Sequence, residues 1–401
     1  MKILFLTLVN IDSIEDRNIY TDLMREFSKN GDDIYIVSPS ERRFKKPTRL
    51  IREEKSSILK VRILNNQKTN LIEKGISTIL LEYQYLNAIK KHLSDIKFDC
   101  VVYSTPPITF EKVINFVKKR DGAKSYLLLK DIFPQNAVDL GMLKRDGFLY
   151  RYFRNKESKL YEISDHIGCM SPANAKYVLQ HNPKLDASKV EINPNSIELE
   201  NSEEIIKNVD SIRNRYGIPK GVKTFVYGGN LGKPQGIDFL IEILSSNINR
   251  KDCFFVIVGS GTEYIKLEQW FYKFKPTNAI LISSLPKSEY DELVRSCNIG
   301  LIFLNKNFTI PNFPSRLLSY LEYKIPVLAA TDVNTDIGKI AEENKFGYWV
   351  ESGNIVLFNK YVDAFCSNNQ IVKEFGQNGY NFLKENYTVE NSFRIIKKHL
   401  L

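Results

Sequence analysis

The sequence lacks long hydrophobic runs and clustered cysteines, and each absence excludes a class of protein. No stretch approaches the roughly 20 apolar residues that a membrane-spanning helix requires. No CxxC pair or His/Cys cluster is present, so we expect no structural metal site. The five cysteines are scattered, mostly among apolar residues, which fits reduced thiols and a cytoplasmic location.

Two further absences concern nucleotides and targeting. The chain has no nucleic-acid-binding motif, so we do not expect nucleic acid as a partner. No GxGxxG follows the first predicted strand, which disfavours a dehydrogenase. Met1–Val9 resembles the apolar core of a signal peptide, but acidic residues follow it without a small-residue cleavage site. We therefore interpret this segment as a strand.

The charge of the chain is strongly positive and partly concentrated. The net charge is +10, and basic residues crowd the segment Glu41–Arg52, which we predict to be a loop. A loop of this kind suits anionic lipid headgroups or a diphosphate substrate, although a solvated charged surface explains it equally. The residues proposed for membrane or acceptor contact are Arg42, Arg43, Lys45, Lys46 and Arg49.

Strands and helices alternate along both halves of the sequence, a pattern typical of parallel sheets with right-handed crossovers. The strands predicted in the first half are Lys2–Val9, Asp33–Ser38, Ser57–Leu64, Phe98–Ser104, Ser125–Leu129, His166–Met170 and Lys189–Ile192. Those predicted in the second half are Thr224–Tyr227, Cys253–Val258, Ala279–Ile282, Ile299–Leu304, Val327–Ala330 and Gly347–Val350. The predicted fold class is α/β, with two Rossmann-like parallel-sheet domains facing across a cleft.

The chain of 401 residues is too long for one core and divides at a polar stretch after Asn193–Ser196. We place an N-terminal domain at residues 1–195 and a C-terminal domain at 196–387, and we expect a helix within 388–401 to pack back on the first domain. In the first domain the predicted helix Glu73–Leu93 carries an apolar stripe that we expect to be buried. The members of this stripe are Ile76, Ile79, Leu80, Tyr83 and Leu86.

Loops at the carboxyl ends of the second-domain strands suit a nucleotide diphosphate. The segment Gly228–Gly236 offers a tight glycine turn and the charge of Lys233, which together cradle phosphate unless the segment is a plain turn. Gly259 and Gly261 would let a flat ligand approach the backbone, although a helix cap explains them as well. The backbone near Leu285 is placed to hydrogen-bond a base edge.

A fourth loop enters a short helix at Pro314-Ser315-Arg316. Pro314 suits the first helical turn, Ser315 offers a hydroxyl to free N–H groups, and Arg316 adds a cation, a combination typical of an anion site. An ordinary surface helix start explains this segment taken alone. Its recurrence with three other loops at successive strand ends favours a nucleotide diphosphate held by the second domain.

In the first domain, Asp131 follows the strand Ser125–Leu129 and precedes Phe133-Pro134, with no histidine nearby. We interpret Asp131 as the group that orients an acceptor or acts as general base, and Lys130 as a phosphate contact. A turn-capping aspartate is the alternative.

These motifs together resemble the GT-B glycosyltransferases of family 4, in the branch that builds bacterial surface polysaccharides such as O-antigen and capsule. The resemblance covers nearly the whole chain. Its carriers are Lys130–Gly141, Pro194–Ser196, Gly229–Gly236, Gly259–Gly261 and Phe313–Arg316. Similar segments occur in enzymes resembling aminodeoxyhexose and N-acetylhexosamine transferases, so the resemblance implies a retaining transfer from a nucleotide sugar to a growing glycan.

The resemblance also implies that no metal is essential. The sequence agrees, because no DxD segment is placed to bind a divalent cation, and basic groups must then neutralise the leaving diphosphate. Arg316 occupies the place of a lysine in the related Pro-Ser-Lys pattern. Two glutamates expected from the resemblance are replaced by Pro311 and Ser319, and an Arg and a Lys of the glycine turn appear as Asn230 and Gln235.

We therefore predict a cytoplasmic glycosyltransferase, peripheral at the inner membrane face, with a polyprenyl-diphosphate-linked glycan as acceptor. No cofactor is expected, and UDP is favoured over GDP as the donor nucleotide. The residues assigned to the donor diphosphate are Gly229, Asn230, Gly232, Lys233, Ser315 and Arg316. Those assigned to the nucleoside are Gly259, Gly261, Leu285 and Ser319. A nucleotide-sugar 2-epimerase of the same fold and a non-catalytic partner that lost turnover are the alternatives.

Overall fold

The computed structural model describes residues 1–65, 71–200 and 209–400, which form two compact units. The first unit comprises Met1–Glu198 and Thr388–Leu401, and the second comprises Leu199–Tyr387. The sequence-based boundary at 195/196 lies three residues from the observed division at 198/199.

Within the described residues, the first unit holds a sheet of eight strands. These are β1 (Lys2–Leu6), β2 (Asp33–Glu41), β3 (Arg49–Arg52), β4 (Ser56–Ile63), β5 (Cys100–Ser104), β6 (Lys124–Leu129), β7 (His166–Cys169) and β8 (Val190–Ile192). The helices are α1 (Ile19–Lys29), α2 (Leu71–His92), α3 (Glu111–Asp121), α4 (Gln135–Asp139), α5 (Phe148–Ile163) and α6 (Pro172–His181). The strand order is β3-β4-β2-β1-β5-β6-β7-β8. Strands after β1 are therefore added first on one side of it and then, from β5 onward, on the other side.

The second unit has a six-stranded sheet in its described part. Its strands are β9 (Lys223–Asn230), β10 (Cys253–Ser260), β11 (Ala279–Ile282), β12 (Ile299–Phe303), β13 (Val327–Thr331) and β14 (Gly347–Glu351). Its helices are α7 (Val209–Arg215), α8 (Ile237–Ser246), α9 (Tyr264–Phe274), α10 (Lys287–Arg295), α11 (Arg316–Glu322), α12 (Ile337–Glu343), α13 (Ile355–Ser367) and α14 (Asn369–Asn386). The order β11-β10-β9-β12-β13-β14 is parallel throughout and reverses between β9 and β12.

Sequence patterns explain why these elements form. Ile3, Leu4 and Phe5 are fully buried, as expected for a central parallel strand that is covered on both faces. Helix α1 begins where the Asn18 side chain accepts hydrogen bonds from two backbone N–H groups, and it ends before Gly31, whose φ of +83° suits glycine. The predicted strands agree with the observed ones to within three residues at each end.

The last helix, α15 (Val389–Lys397), belongs to the first unit. Its Phe393 packs edge-on against Phe27 of α1 with ring centroids 4.9 Å apart. Lys397 Nζ lies 2.8 Å from Asp32 Oδ1, which also accepts a hydrogen bond from the N-terminal amino group at 2.9 Å. The C-terminal helix is thus bound next to the start of β1, at the amino ends of the parallel strands.

Two sequence-based expectations about the first unit are wrong. The predicted buried stripe of α2 is largely exposed, because the helix presents the opposite face, with Ser77, Leu81, Tyr85 and Ile89, to the sheet. The basic segment is also more ordered than a loop. Arg42–Phe44 forms one 3-10 turn, and β3 pairs antiparallel with β4.

Candidate functional site

The glycine turn that begins at the end of β9 packs directly on the turn that begins at the end of β10. Gly229 pairs with Gly259 in the register of the two strands. A Cβ atom added to Gly259 would lie 1.9 Å from the carbonyl oxygen of Gly229, and one added to Gly261 would lie 2.3 Å from that of Leu231. The close approach of the chain to itself therefore explains both glycines. Their assignment to the nucleoside stays a prediction.

Arg316 lies against the exposed side of the same turn. A Cβ atom on Gly229 would lie 3.3 Å from Arg316 Nη2, and the φ of Gly229 is +128°, where side chains are strained. The guanidinium stacks over the ring of Tyr227 at 4.3 Å from its centroid. Nη1 of Arg316 is buried and has no hydrogen-bond partner among the described residues. A half-buried cation with a free donor beside a glycine turn is suited to bind an anion.

Tyrosines, not acids, surround this arginine. Tyr320 donates its hydroxyl to Val226 O at 3.1 Å, and Tyr227 donates to Asn230 O at 2.7 Å. A Cβ atom on Gly228 would lie 1.9 Å from Tyr290 Oη, so Tyr290 packs on the strand itself. Burial raises the pKa of Tyr290 to about 12, so this phenol is neutral at physiological pH and does not neutralise the arginine.

The rest of the glycine turn is partly engaged by its own side chains. Gln235 Oε1 accepts hydrogen bonds from Asn230 Nδ2 at 2.9 Å and from the Gly232 backbone N–H at 3.2 Å. The predicted phosphate contact from Gly232 N–H would therefore have to displace Gln235. Lys233 is exposed at the start of the 3-10 turn Lys233–Gln235.

Helix α11 begins at Arg316 and buries Leu317, Leu318, Tyr320 and Leu321. Ser315 is exposed, and its side chain makes no capping hydrogen bond. Ser319 is half-buried three residues after Arg316, and thus on the same side of the helix. Glu322 is buried and accepts a hydrogen bond from Glu200 N at 3.0 Å. This glutamate has a structural role.

A buried carboxylate that the sequence analysis missed holds the loop before α11. Asp332 Oδ1 accepts from the N–H groups of Asn334 and Thr335, both at 2.9 Å. The Thr335 hydroxyl donates to Asp332 Oδ2 at 2.9 Å and accepts from Asn312 N at 3.0 Å. Burial raises the pKa of Asp332 to about 6. The segment that carries Arg316 is therefore tied to the end of β13.

In the first unit, Lys130 and Asp131 follow β6, and Thr105 after β5 fixes their backbone. The Thr105 hydroxyl accepts from Lys130 N at 2.9 Å and from Asp131 N at 3.2 Å. Both oxygens of the Asp131 carboxylate accept from Asn136 Nδ2, at 2.9 and 2.8 Å. Thr105 lies beside the point where the strand order reverses, the usual ligand position in such sheets.

Burial moves the pKa values of this pair toward neutrality. It raises the pKa of Asp131 to about 6 and lowers that of Lys130 to about 7. Both side chains are half-buried, and no acidic side chain offsets the desolvation of Lys130 in the described part of the chain. A second buried carboxylate, Glu157 on α5, is bound by Arg154 Nη1 at 2.8 Å and by Tyr161 at 2.7 Å, and burial raises its pKa to about 7. The sequence analysis did not single out Glu157.

The basic candidates near β2 are only partly available. Arg42 pairs with Glu73 at 3.1 Å, and Arg43 pairs with Glu41. Lys45 and Lys46 are exposed. Arg49 is half-buried at the start of β3. Lys45 and Lys46 are thus exposed cations of this segment, and Arg52 at the end of β3 is exposed as well.

Comparisons with known proteins find similarity to glycosyltransferases in both sequence and fold. Residues 208–382 match the family described as Glycosyl transferases group 1. The chain is 23% identical over 303 residues to "Probable glycosyltransferase WbjE" of Pseudomonas aeruginosa, covering 75% of this chain and 74% of the relative. It is 22% identical over 253 residues to "Putative colanic acid biosynthesis glycosyl transferase WcaI" of Escherichia coli strain K12, covering 61% and 60%.

The similarity to solved structures extends over the whole chain. Anabaena Alr3699/HepE, in complex with UDP and glucose, superposes with a TM-score of 0.71 at 13% identity, covering 100% of this chain and 99% of that one. The chain has the GT-B fold. Together with the family match, this supports a glycosyltransferase. In the described residues no helix is both long and apolar enough to span a bilayer.

Proposed function

We propose that the protein is a retaining glycosyltransferase that moves a sugar from a nucleoside diphosphate to a lipid-linked glycan in surface polysaccharide assembly. The observation that carries this proposal is Arg316, which stacks on Tyr227 beside the Gly229 turn at the carboxyl edge of a parallel sheet and whose Nη1 has no hydrogen-bond partner among the described residues. A site of this kind neutralises a leaving diphosphate. Transfer without a metal is part of the proposal, with Lys233 as the second cation.

The order of the chemistry follows from the two sites. The donor diphosphate binds Arg316 and Lys233, and these cations stabilise the charge that develops on its leaving oxygen as the bond between that oxygen and the sugar C1 breaks. The acceptor oxygen forms its bond to C1 on the face that the diphosphate leaves, which keeps the anomeric configuration. Asp131 orients the acceptor hydroxyl and accepts its proton, for which a pKa near 6 is well matched to neutral pH. Lys130, whose ammonium group has no carboxylate partner in the described part of the chain, contacts a phosphate of the acceptor.

The nucleotide and the product class rest on the similar proteins. HepE was crystallised with UDP and glucose, which supports UDP as the donor nucleotide, and the name of WcaI refers to colanic acid biosynthesis. We propose an N-acetylated or deoxy hexose as the sugar, and capsule, O-antigen or exopolysaccharide as the product. A polyprenyl-diphosphate carrier would bring the enzyme to the inner face of the membrane.

Nucleotide binding followed by turnover tests the proposal. Calorimetry with UDP, GDP and their N-acetylhexosamine conjugates should show micromolar binding to one nucleotide series, with UDP favoured. The preferred conjugate should then donate its sugar to a polyprenyl-diphosphate-linked acceptor, with the anomeric configuration kept, as nuclear magnetic resonance of the product would show. Binding without transfer to any acceptor, or transfer with inversion, would contradict it.

Two other functions share this fold. A nucleotide-sugar 2-epimerase would interconvert the free nucleotide sugar in the absence of acceptor. A non-catalytic partner is suggested by Pro311 and Ser319, which stand where the resemblance predicts two glutamates. The same calorimetry distinguishes that partner, because it would bind no nucleoside diphosphate.

A further inference from the structure

We propose that one face of the first unit, formed by α2 and the 3-10 turn Arg42–Phe44, docks on an anionic lipid bilayer. The proposal rests on the proposed function for its setting, since a lipid-linked acceptor requires the enzyme at a membrane. It names a surface that the sequence analysis had assigned to the core. We define the α2 face by its exposed apolar residues, Phe44, Ile76, Ile79, Leu80 and Tyr83.

Helix α2 is apolar on two opposite sides. Ser77, Leu81 and Tyr85 contact the protein interior and are at most 2% exposed. Ile76, Ile79, Leu80 and Tyr83 follow i, i+3, i+4, i+7 spacing on the other side and are 47%, 52%, 40% and 46% exposed, respectively. Phe44 of the neighbouring turn is 58% exposed. Five large apolar side chains facing water in one region indicate a surface that binds a partner.

The α2 face lies at the carboxyl edge of the sheet, where the acceptor candidates also lie. The Ser77 hydroxyl donates to Leu64 O, just after β4, at 3.3 Å. Buried Glu82 accepts from Lys112 N at 2.6 Å, at the start of the helix that follows β5. Arg42, directly after β2, pairs with Glu73 of α2. These contacts bring the first half of α2 to the same sheet edge as Asp131.

The charge around this surface matches anionic lipid. The described exposed positions of α2 carry no carboxylate, and beyond the apolar stripe they are Asn87, Lys90 and Lys91. The exposed Lys45 and Lys46 adjoin Phe44, and Lys112 Nζ lies 4.5 Å from the centroid of the Tyr83 ring. Basic residues close to an anionic bilayer are attracted to its headgroups. A second copy of the chain would oppose these lysines with identical charges, which disfavours a symmetric dimer through this face.

A neighbouring segment continues the same character. Met142, Phe148 and Leu149 are 58%, 83% and 55% exposed, and the exposed Lys144, Arg145 and Asp146 lie between them in sequence, with a net charge of +1. Phe148 begins α5, which packs near α2, since Lys156 Nζ of α5 lies 3.6 Å from Glu82 Oε2. This contact places α5 near α2, and we include the start of α5 in the proposed membrane surface.

Vesicle sedimentation tests this assignment. The intact protein should bind vesicles of equal parts phosphatidylglycerol and phosphatidylcholine, bind phosphatidylcholine alone weakly, and release as salt rises from about 0.1 to 0.5 M. The variant Ile79→Ser/Leu80→Ser should lower the partition coefficient at least about tenfold, because the lost apolar carbon atoms each contribute to insertion. Lys45→Glu/Lys46→Glu should lower it on anionic vesicles only.

A matched control uses exposed apolar residues of the other unit. Ile265→Ser/Val356→Ser removes side chains that are 64% and 79% exposed and should leave vesicle binding unchanged. The assignment would be overturned if Ile79→Ser/Leu80→Ser and Lys45→Glu/Lys46→Glu both bound vesicles as strongly as the intact protein does. It would also be overturned if the intact protein bound no vesicles. A dimer in light scattering that Ile79→Ser/Leu80→Ser dissociates would overturn it as well.

Nucleotide binding separates this inference from the proposed function. All these variants should bind the donor nucleotide as the intact protein does, because none of the altered residues belongs to the Arg316 site. Vesicle binding without nucleotide binding would contradict the proposed function and leave the docking surface standing. Nucleotide binding with no response to vesicles would contradict the docking surface alone.

Discussion

Two sites carry half-buried charged groups: Arg316 in the second unit and the Lys130–Asp131 pair in the first. They differ in whether these groups keep their charge near neutral pH. Arg316 keeps its charge because a guanidinium does not lose its proton, and aromatic rings rather than acids surround it. Burial brings Lys130 and Asp131 to pKa values of about 7 and 6. The Arg316 site therefore suits binding of a constant negative charge, and the Lys130–Asp131 site suits proton transfer.

The largest effect should come from the proton-transfer site. Asp131→Asn keeps the size of the side chain but removes its basicity, so we expect kcat to fall by about 100- to 10,000-fold. The measurement is the initial rate of sugar transfer at saturating donor. Asp139→Asn, in the following turn, is the control and should cost little. Full activity of Asp131→Asn would leave this aspartate with a turn-capping role only.

Arg316→Ala should weaken nucleotide binding by roughly 10- to 100-fold, because charge-assisted hydrogen bonds to phosphate contribute about 1.5–3 kcal/mol. Calorimetry at constant ionic strength measures the change. Arg215→Ala, on an arginine of the same unit whose side chain is 53% exposed, is the matched control. Equal affinity of Arg316→Ala and the control for UDP and GDP would show that the diphosphate binds elsewhere.

Gly259→Ala separates packing from ligand binding. The added Cβ would meet Gly229 O at 1.9 Å, so β9 and β10 must move apart, at a cost of about 1–3 kcal/mol in the free energy of unfolding. Urea denaturation measures this cost. The exposed neighbour Ser260→Ala should change stability by less than about 0.5 kcal/mol. An alanine at 259 that lowers nucleotide affinity with unchanged stability would instead support the nucleoside assignment.

The pH dependence of the rate should show the two shifted groups of the first unit. Asp131 works as a base only when it has lost its proton, so kcat should rise as pH approaches and passes about 6. Lys130 binds phosphate only as a cation, so the rate should fall above about 7, by up to tenfold per pH unit. Lys130→Met should remove the alkaline fall and leave the acid limb. An unchanged alkaline limb in this variant would exclude Lys130 as its source.

A further effect concerns the pH dependence of stability at Asp332. Its folded pKa of about 6 lies above the unfolded value near 3.9, so the folded state binds the extra proton and stability falls as pH rises through this window. The full loss is at most about 3 kcal/mol. Asp332→Asn retains acceptors for the two N–H groups and should flatten this slope in denaturation curves at pH 4 and pH 7. A slope equal to that of the intact protein would assign the pH dependence to other groups.

The sequence pattern predicted much of the fold because buried parallel strands are short apolar runs between polar turns. It also placed Arg316 and Asp131 in segments that follow strands, since loops at strand ends are readable in order, and their roles stay predictions. It gave the wrong exposed face for α2, because Ile76, Ile79, Leu80 and Tyr83 form as regular a stripe as Leu81, Tyr85 and Ile89. Periodicity alone does not tell which of two apolar stripes faces the protein. It also missed β3, a four-residue strand in which Leu50 and Ile51 lie between two arginines, because so short an apolar segment does not stand out.

What the sequence by itself determined is the alternation of elements, the parallel strands of the two sheets and the loops that end those strands, all of which follow from local preference and hydrophobic spacing. Only the tertiary structure decided which groups are left unpaired. Among the described residues, tyrosines rather than acids pack around Arg316. Tyr227 and Tyr290 come from distant segments, and Tyr320 lies one turn further along helix α11 itself. Asp332 is buried because its loop folds over the segment before α11. Burial and pairing depend on contacts between residues far apart in the chain, and composition along a segment does not contain them.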